Sequence, residues 1–250
     1  MPFADPVADA TRSEGRLATA MRDDELDETE AAAVDSARAQ IAALAGSARR
    51  AGRGAVVSGR WLADTVVDVA PRLPVRDASA LSAHHEGLTG DALARSVVRA
   101  ASRVSGGVAA AAGGMITAQE VTVAGLLLVP FELAALTALV VVTEVKLVTE
   151  LHHVAGRPLP GGPRRRTEAA IVSWMSGRAA PPSEVSAVVR GDLLGRAGRQ
   201  QLAHHLRARF TRNLTAVAPL LTGAVAAGYL NRRATLHVGK RVARDLGLHP

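Results

Sequence analysis

Hydrophobic positions along the chain are concentrated in one long run, Val121 to Val142, interrupted mainly by Thr122, Pro130, Glu132 and Thr137. A run of this length is typical of a membrane-contacting helix or of the buried axis of a helical core. As a helix it would extend about 33 Å, enough to cross a bilayer. Its Leu, Val and Phe residues favour insertion by about 6 kcal/mol, whereas a charged Glu132 opposes it by about 3 kcal/mol. Insertion is therefore marginal.

A second pattern precedes this run and predicts a helix from Thr89 to about Gly113. Its apolar positions recur at spacings of three and four, at Leu93, Val97, Ala101, Val104 and Val108. Arginines repeat every four residues on another face, at Arg95, Arg99 and Arg103. Small residues then follow at the same spacing, at Gly106, Ala110 and Gly114. Such a face allows another helix backbone to approach closely, although a helix end with a flexible glycine loop is the alternative.

Capping and proline signals divide the central region. Thr117 to Glu120 has the spacing of a capping box and predicts a helix start just before the apolar run. Pro130 is expected to kink that helix or to divide it in two. Beyond Pro130 a polar stripe is predicted to face a groove, a polar network or water. Its members are Glu132, Thr143, Lys146, Glu150 and His153.

The remaining segments complete an all-helical pattern. Gly46 to Gly59 is rich in Gly and Arg and predicts a connector, whereas Leu193 to Thr211 predicts a basic helix. Leu214 to Leu230 is apolar and uncharged, with Pro219 near its start. Asn231 to about Gly247 predicts an amphipathic helix. The basic face of that helix contains Arg233, His237, Lys240 and Arg244.

The fold class predicted from these patterns is all-α. We expect a multi-helix bundle with long, kinked apolar central helices and a glycine-rich seam of small residues. Residues 1–22 are predicted to be a disordered polar tail, because they contain little that could form a core. Residues 23–87 form an acidic, Ala-rich helical region and linker, and residues 88–250 form the main helical domain.

Charge is distributed unevenly along the chain. Its net value is +7, but residues 1–40 carry −6 and residues 156–250 carry +12. A basic C-terminal third attracts an anionic surface, which is a lipid surface, a nucleic acid or an acidic partner. We expect contact with an anionic surface through two sets of side chains. They are Arg95, Arg99 and Arg103 on one helix, and Arg233, Lys240 and Arg244 on the last. The alternative is that these stripes are simply solvated faces.

Recognisable catalytic and cofactor motifs are missing from the sequence. The chain has no cysteine, which excludes thiolate chemistry and disulfides, and its N-terminus lacks the apolar core of a secretory signal. It has no phosphate-loop, dinucleotide, serine-hydrolase or zincin motif. Three adjacent His pairs occur, at 84–85, 152–153 and 204–205. Neighbouring helical residues point about 100° apart, so one pair cannot easily chelate one metal, although two different pairs could converge in space. We therefore expect no metal, no cofactor and no catalytic residues.

Nucleic-acid binding is disfavoured because aromatic side chains that could stack on bases are nearly absent. Aromatic residues make up only 2% of the chain, and Trp174, Phe210 and Tyr229 are scattered. A major-groove helix is left open by the sequence, as is a site for a lipid-directed enzyme. Neither has a motif to support it.

From about Leu88 onward the chain resembles the EcsC family. The strongest element is Pro219 to Asn231, followed by Thr235, Val238 and Gly239; it is similar to the family's C-terminal pattern of Pro, Gly-Ala, Gly, Asn and Thr. Val129 to Leu133 resembles the family's apolar–Pro–x–acid–Leu element, and Gly106 to Gly114 its small-residue segment. The chain departs from the family at Val154 to Gly156, where an aromatic residue followed by Gly is common, and across 156–212. The first 80 or so residues lie outside the resemblance.

This resemblance implies an all-helical, membrane-associated bacterial protein without an established enzymatic activity. The founding member is linked through its operon to an ABC transporter. Six positions of this chain match the family's motifs, and we expect their roles to be structural. The prolines would bend helices, the glycines would allow close packing, and the polar residues would be buried with hydrogen-bond partners. The six positions are Pro130, Glu132, Pro219, Gly223, Gly228 and Asn231. Glu132 and Asn231 could instead line a lipid or ligand groove.

The function expected from these observations is that of a non-enzymatic protein at the cytoplasmic face of the membrane. It would act peripherally, in a transport- or envelope-related role, with an anionic membrane surface or a membrane protein as its partner. Homo-oligomers are compatible with the sequence, and an integral membrane protein is the second choice. The alternative is a soluble helical adaptor in which the long apolar helix is core.

Overall fold

The computed structural model describes residues 35–119, 127–177, 194–217 and 224–250, and the regular structure in these ranges is entirely helical. The helices are α1 (35–51), α2 (Arg53–Val57), α3 (Arg60–Val69), α4 (Ala78–His84), α5 (Gly90–Gln119), α6 (Val129–Val154), α7 (Pro163–Ser176), α8 (Arg196–Val217) and α9 (Ala224–Asp245), with a 3₁₀ turn at Ala70–Arg72. The predicted all-α helical bundle is confirmed.

Helix α6 is the buried axis of this bundle. Eighteen of its 26 residues are buried, and its neighbours include α3, α5, α7, α8 and α9. A helix that is packed on most sides needs apolar residues all round, and the sequence from Leu133 to Val148 supplies them. Of the two interpretations of the apolar run, the described part from Val129 onward fits the core interpretation. In the parts of the chain that the structure describes, no helix has both the length and the hydrophobicity needed to cross a bilayer.

Pro130 lies in the first turn of α6. Proline is tolerated there because its missing N–H would have no partner within the helix. The sequence left open a kink or a helix boundary at Pro130, and the structure has a boundary. The capping-box prediction at Thr117 to Glu120 is wrong, because Thr117, Ala118 and Gln119 continue helix α5.

The connector predicted for Gly46 to Gly59 is also wrong in most of its length. Residues up to 51 continue α1, and Arg53–Val57 form α2. Gly59 then turns the chain into α3 with φ +77°, and a Cβ placed on it would collide with the carbonyl oxygen of Ala203 in α8. Only glycine combines this conformation with this approach. The Gly-rich composition therefore marks one tight contact rather than a loop.

Helix directions follow from three contacts. Glu144 of α6 meets Arg209 of α8, whereas Thr137 meets Asn213, so these two helices are antiparallel. Helix α9 is antiparallel to α5, because Gly228 packs against Gly106, whereas the backbone N–H of His249, beyond the end of α9, donates to Asp91 near the start of α5. It is parallel to α6, with Thr235 against Glu144 and Gly239 against Leu147. The described end of α5, the starts of α6 and α9, and the end of α8 therefore lie at one end of the bundle.

The predicted boundary between residues 87 and 88 stays a prediction, but both sides of it contribute to one hydrophobic core. Ile41, Leu62 and Val66 belong to the same cluster of buried side chains as Leu147 and Leu206. Continuous burial of this kind means that the region 35–87 is stabilised by packing on α6 and α8.

Candidate functional site

The seam between α5 and α9 positions the candidate site. A Cβ added to Gly228 would lie 3.0 Å from the carbonyl oxygen of Gly106 and 3.3 Å from the Cβ of Ala110. A Cβ on Gly239 would lie 2.9 Å from Val98 and 3.0 Å from Leu147. These distances leave no space for larger residues, so the two backbones pack closely. The predicted small-residue seam is confirmed at Gly106 and Ala110, and its partner helix is α9.

Close packing of these two helices brings their basic side chains to one groove of about 500 Å³. We call it the α5–α9 groove, and its basic side chains are Arg95, Arg99, Arg103, Arg232 and Lys240. All five are exposed. Val98, Leu236 and Pro250 complete the lining. Within the described residues no acidic side chain lines this groove, and none of its five basic groups forms an ion pair.

Four of the six predicted anionic-surface contacts therefore lie in this groove: Arg95, Arg99, Arg103 and Lys240. Arg233 and Arg244 are exposed but do not line it. The groove includes Arg232 instead, which was not among the predicted contacts. The sequence does contain a pattern that indicates it, because Arg232, Leu236 and Lys240 are spaced by four residues and so lie along one face of α9.

The described members of the six motif positions that resemble the EcsC family lie on two helices, α6 and α9. Glu132 is buried in the first turn of α6, where the positive end of the helix dipole favours a carboxylate. Gly228 makes the close contact with Gly106, and Asn231 is half-buried. Pro219 and Gly223 lie outside the described residues. Among the described motif positions, Pro130 serves helix initiation and Gly228 serves close packing.

A buried polar cluster around Glu144, within the described residues, is not among the features predicted from the sequence. Glu144 is completely buried in α6 and accepts four hydrogen bonds, which is the capacity of a carboxylate. Two come from Arg209, from Nη1 to Oε2 at 2.7 Å and from Nη2 to Oε1 at 2.8 Å. Trp174 Nε1 donates to Oε2 at 2.8 Å, and Thr235 Oγ1 to Oε1 at 3.0 Å. This cluster links α6, α7, α8 and α9. Because all four acceptor positions of the carboxylate are used, it cannot accept a further hydrogen bond from a substrate.

The three histidine pairs do not converge on a metal. Among the described residues no group of three or more potential ligands is close enough to hold an ion. Burial lowers the pKa of His152, although its hydrogen bond with the carbonyl of Arg157 opposes the shift. Burial likewise lowers the pKa of His85, His153 and His205. His152 is buried and His85 and His153 are half-buried, so burial favours their neutral forms, whereas His205 is exposed on α8.

The polar stripe predicted on α6 is divided by the structure. Thr143, Lys146 and Glu150 line a cavity between α5 and α6, whereas Glu132 and His153 do not. The Nζ of Lys146 lies 2.8 Å from Oε1 of Glu150, whose side chain is nearly buried.

Comparison with known proteins gives no match to this chain among protein-family models, curated proteins or solved structures.

Proposed function

We propose that this protein is a non-enzymatic helical protein of the EcsC type that docks peripherally on an anionic membrane surface at the cytoplasmic face. The observation that carries this proposal is the α5–α9 groove. Five exposed cations from two rigid helices face one region, and no acidic side chain among the described residues compensates them. Juxtamembrane basic clusters of this size attract anionic lipid headgroups, each Lys or Arg contributing about 1 kcal/mol.

Exposed apolar side chains next to the groove support the same proposal. Tyr229 and Leu230 are 61% and 48% exposed, and they precede Arg232 by less than one helical turn. Leu127, before the start of α6 at the same end of the bundle, is 66% exposed. A Tyr and aliphatic residues adjacent to basic groups are typical of surfaces that lie in the headgroup region.

The amino-acid sequence extends this apolar character to the two connections that leave from the same end of the bundle. Residues 120–126 and 218–223 contain a single ionisable residue, Glu120. In the proposed orientation the α5–α9 groove lies along the headgroups, and this apolar end of the bundle meets the membrane surface at the edge of that contact.

Vesicle co-sedimentation tests the proposal. The protein should sediment with vesicles that contain phosphatidylserine or phosphatidylglycerol and remain in the supernatant with neutral phosphatidylcholine, and added salt should release it. The triple variant Arg95→Gln, Arg99→Gln, Arg103→Gln should weaken binding about 100-fold. The matched variant Arg49→Gln, Arg50→Gln, Arg53→Gln removes the same charge from exposed positions elsewhere and should bind nearly as the native protein does. Equal binding to neutral vesicles, or equal losses in the two variants, would overturn the proposal.

A second candidate function is that of a helical adaptor that binds another protein. The burial of α6 favours it, because the apolar run is then accounted for by the core without any lipid. The α5–α9 groove would in that case meet an acidic protein surface. Salt-sensitive binding to an acidic partner, together with indifference to anionic vesicles, is the outcome that this candidate expects.

A further inference from the structure

A cavity of about 470 Å³ lies between α5 and α6. It is separate from the α5–α9 groove, because it lies on the other flank of α5. The first turns of α1 contribute Ser36, Ala37 and Gln40 to its wall, and α4 contributes Leu81 and His84. Its volume is within the range of pockets that hold a small ligand. We call it the α5–α6 cavity.

The wall of the α5–α6 cavity changes along α6 from Leu139 and Val142, through Thr143, to Lys146 and Glu150. Toward one end the wall is aliphatic, where Leu139 and Val142 of α6 face Val104 and Val108 of α5. Leu139 and Glu150 are three helical turns apart, so the cavity extends about 16 Å along α6. The other end of the wall is polar and ionisable. Its members are Arg76, His84, His85, Lys146 and Glu150.

Charge at the polar end is only partly compensated. Lys146 and Glu150 neutralise one another, and the backbone N–H of Arg76 also donates to Glu150 at 3.5 Å. The exposed guanidinium of Arg76 makes no ion pair or hydrogen bond with the described residues. Nearby, His85 Nδ1 lies 3.0 Å from Ser96 Oγ. The cation left over at this end is therefore Arg76, which suits a carboxylate or phosphate group.

We infer that the α5–α6 cavity binds a single-chain anionic amphiphile. Its apolar chain lies between α5 and α6, and its anionic head, a carboxylate or a phosphate, lies at Arg76. Each of the two parts has a matching wall, and one chain rather than two fits a volume of about 470 Å³ that also contains the head. This site is independent of the proposed membrane docking, which uses the opposite flank of α5.

Isothermal titration of the full chain with decanoate, decyl phosphate, decanol and decylammonium, below their micelle-forming concentrations, tests the inference. Decanoate or decyl phosphate should bind saturably, and the better of the two identifies the head group. Decanol and decylammonium should bind at least about tenfold more weakly, because they lack the charge-assisted bond to Arg76. Across hexanoate, octanoate and decanoate, affinity should rise about fourfold per added methylene. Absence of saturable binding, or equal binding of decylammonium, would overturn the inference.

Two matched pairs of variants locate the ligand. Arg76→Gln should weaken decanoate binding about tenfold and leave decanol unchanged, whereas Arg72→Gln, at an exposed position outside the cavity, should change neither. Ala101→Phe fills the aliphatic wall and should abolish binding, whereas Ala92→Phe, exposed on the same helix, should not. If Ala101→Phe does not fold, Val104→Trp at the exposed rim takes its place. Equal affinities within either pair would refute the assigned site.

Discussion

Arg209 holds Glu144 in the centre of the bundle through two parallel hydrogen bonds of 2.7 and 2.8 Å. The guanidinium also lies over the ring of Trp174, with 5.9 Å between its central carbon and the ring centroid. The Glu144 side chain has no exposed surface and that of Arg209 only 15%. A charged pair so far from water is tolerated only while each member keeps its partner.

Removing Arg209 should therefore lower the free energy of unfolding more than removing a surface arginine does. Arg209→Ala leaves the Glu144 carboxylate buried without its counter-charge, and we expect the free energy of unfolding to fall by about 3–5 kcal/mol. Urea denaturation followed by circular dichroism measures it. Arg207→Ala, on the exposed face of the same helix, should change it by less than about 0.5 kcal/mol. A double variant, Glu144→Leu with Arg209→Leu, should recover part of the loss, and a larger loss would contradict this account.

Gly239 and Gly107 should respond to alanine in opposite directions. A methyl group at Gly239 meets Val98 and Leu147 at about 3 Å, and we expect Gly239→Ala to destabilise the fold by about 1–3 kcal/mol. Gly107 lies within α5 with open space around it, so Gly107→Ala should stabilise by about 0.5–1 kcal/mol. Thermal melts of the two variants side by side give the comparison. A stabilising Gly239→Ala would mean that the α5–α9 seam is looser than described, and a destabilising Gly107→Ala would contradict the open space at Gly107.

Stability should decrease as the pH falls below the ordinary histidine pKa of about 6.5. Burial lowers the pKa of His152, so the unfolded chain takes up a proton before the folded protein does. The stabilisation is present above pH 6.5 and is lost as the pH falls toward the folded-state pKa, by up to about 1.4 kcal/mol per pH unit for one such group. Urea denaturation at several pH values measures this slope.

His152→Gln should flatten the pH dependence without abolishing it, because the pKa values of His85, His153 and His205 are lowered as well. An unchanged slope in His152→Gln would show that the buried imidazole does not titrate as described.

Arg232 and Arg233 are adjacent in sequence and should differ in their effect on vesicle binding. Arg232 lines the α5–α9 groove beside Arg103, and Arg233 does not. With anionic vesicles at low salt, Arg232→Gln should weaken binding about fivefold, as expected for one charge near the surface. Arg233→Gln should weaken it less. Equal effects would indicate a diffuse response to net charge rather than contact through the groove.

Local patterns in the sequence predicted those features that depend on neighbouring residues. The spacing of Leu93, Val97 and Ala101 gave the apolar face of α5, and Gly106 with Ala110 gave its close-packing face. Val104 follows the same spacing but is 54% exposed, because this part of the stripe borders the α5–α6 cavity instead of another helix. Periodicity identifies a face without identifying what covers it.

The candidate site was predicted only in part, because it is made by two helices. Arg95, Arg99 and Arg103 share a face of α5 by local spacing, and that part of the prediction needed no knowledge of the fold. The choice between Arg232 and Arg233 depends on how α9 is rotated against α5. That rotation is fixed by the glycine contacts at Gly228 and Gly239. Glu144 was missed for a related reason: its partners lie 30, 65 and 91 residues away in sequence.

The sequence separations between Glu144 and its partners also affect when the chain can fold during synthesis. Glu144 leaves the ribosome well before Arg209 and Thr235, which supply three of its four hydrogen bonds. Until α8 and α9 have emerged, the carboxylate has to remain hydrated, and α6 cannot close its core around it. The nascent protein should therefore stay protease-sensitive until α9 has emerged from the ribosome, and then become resistant in a single step.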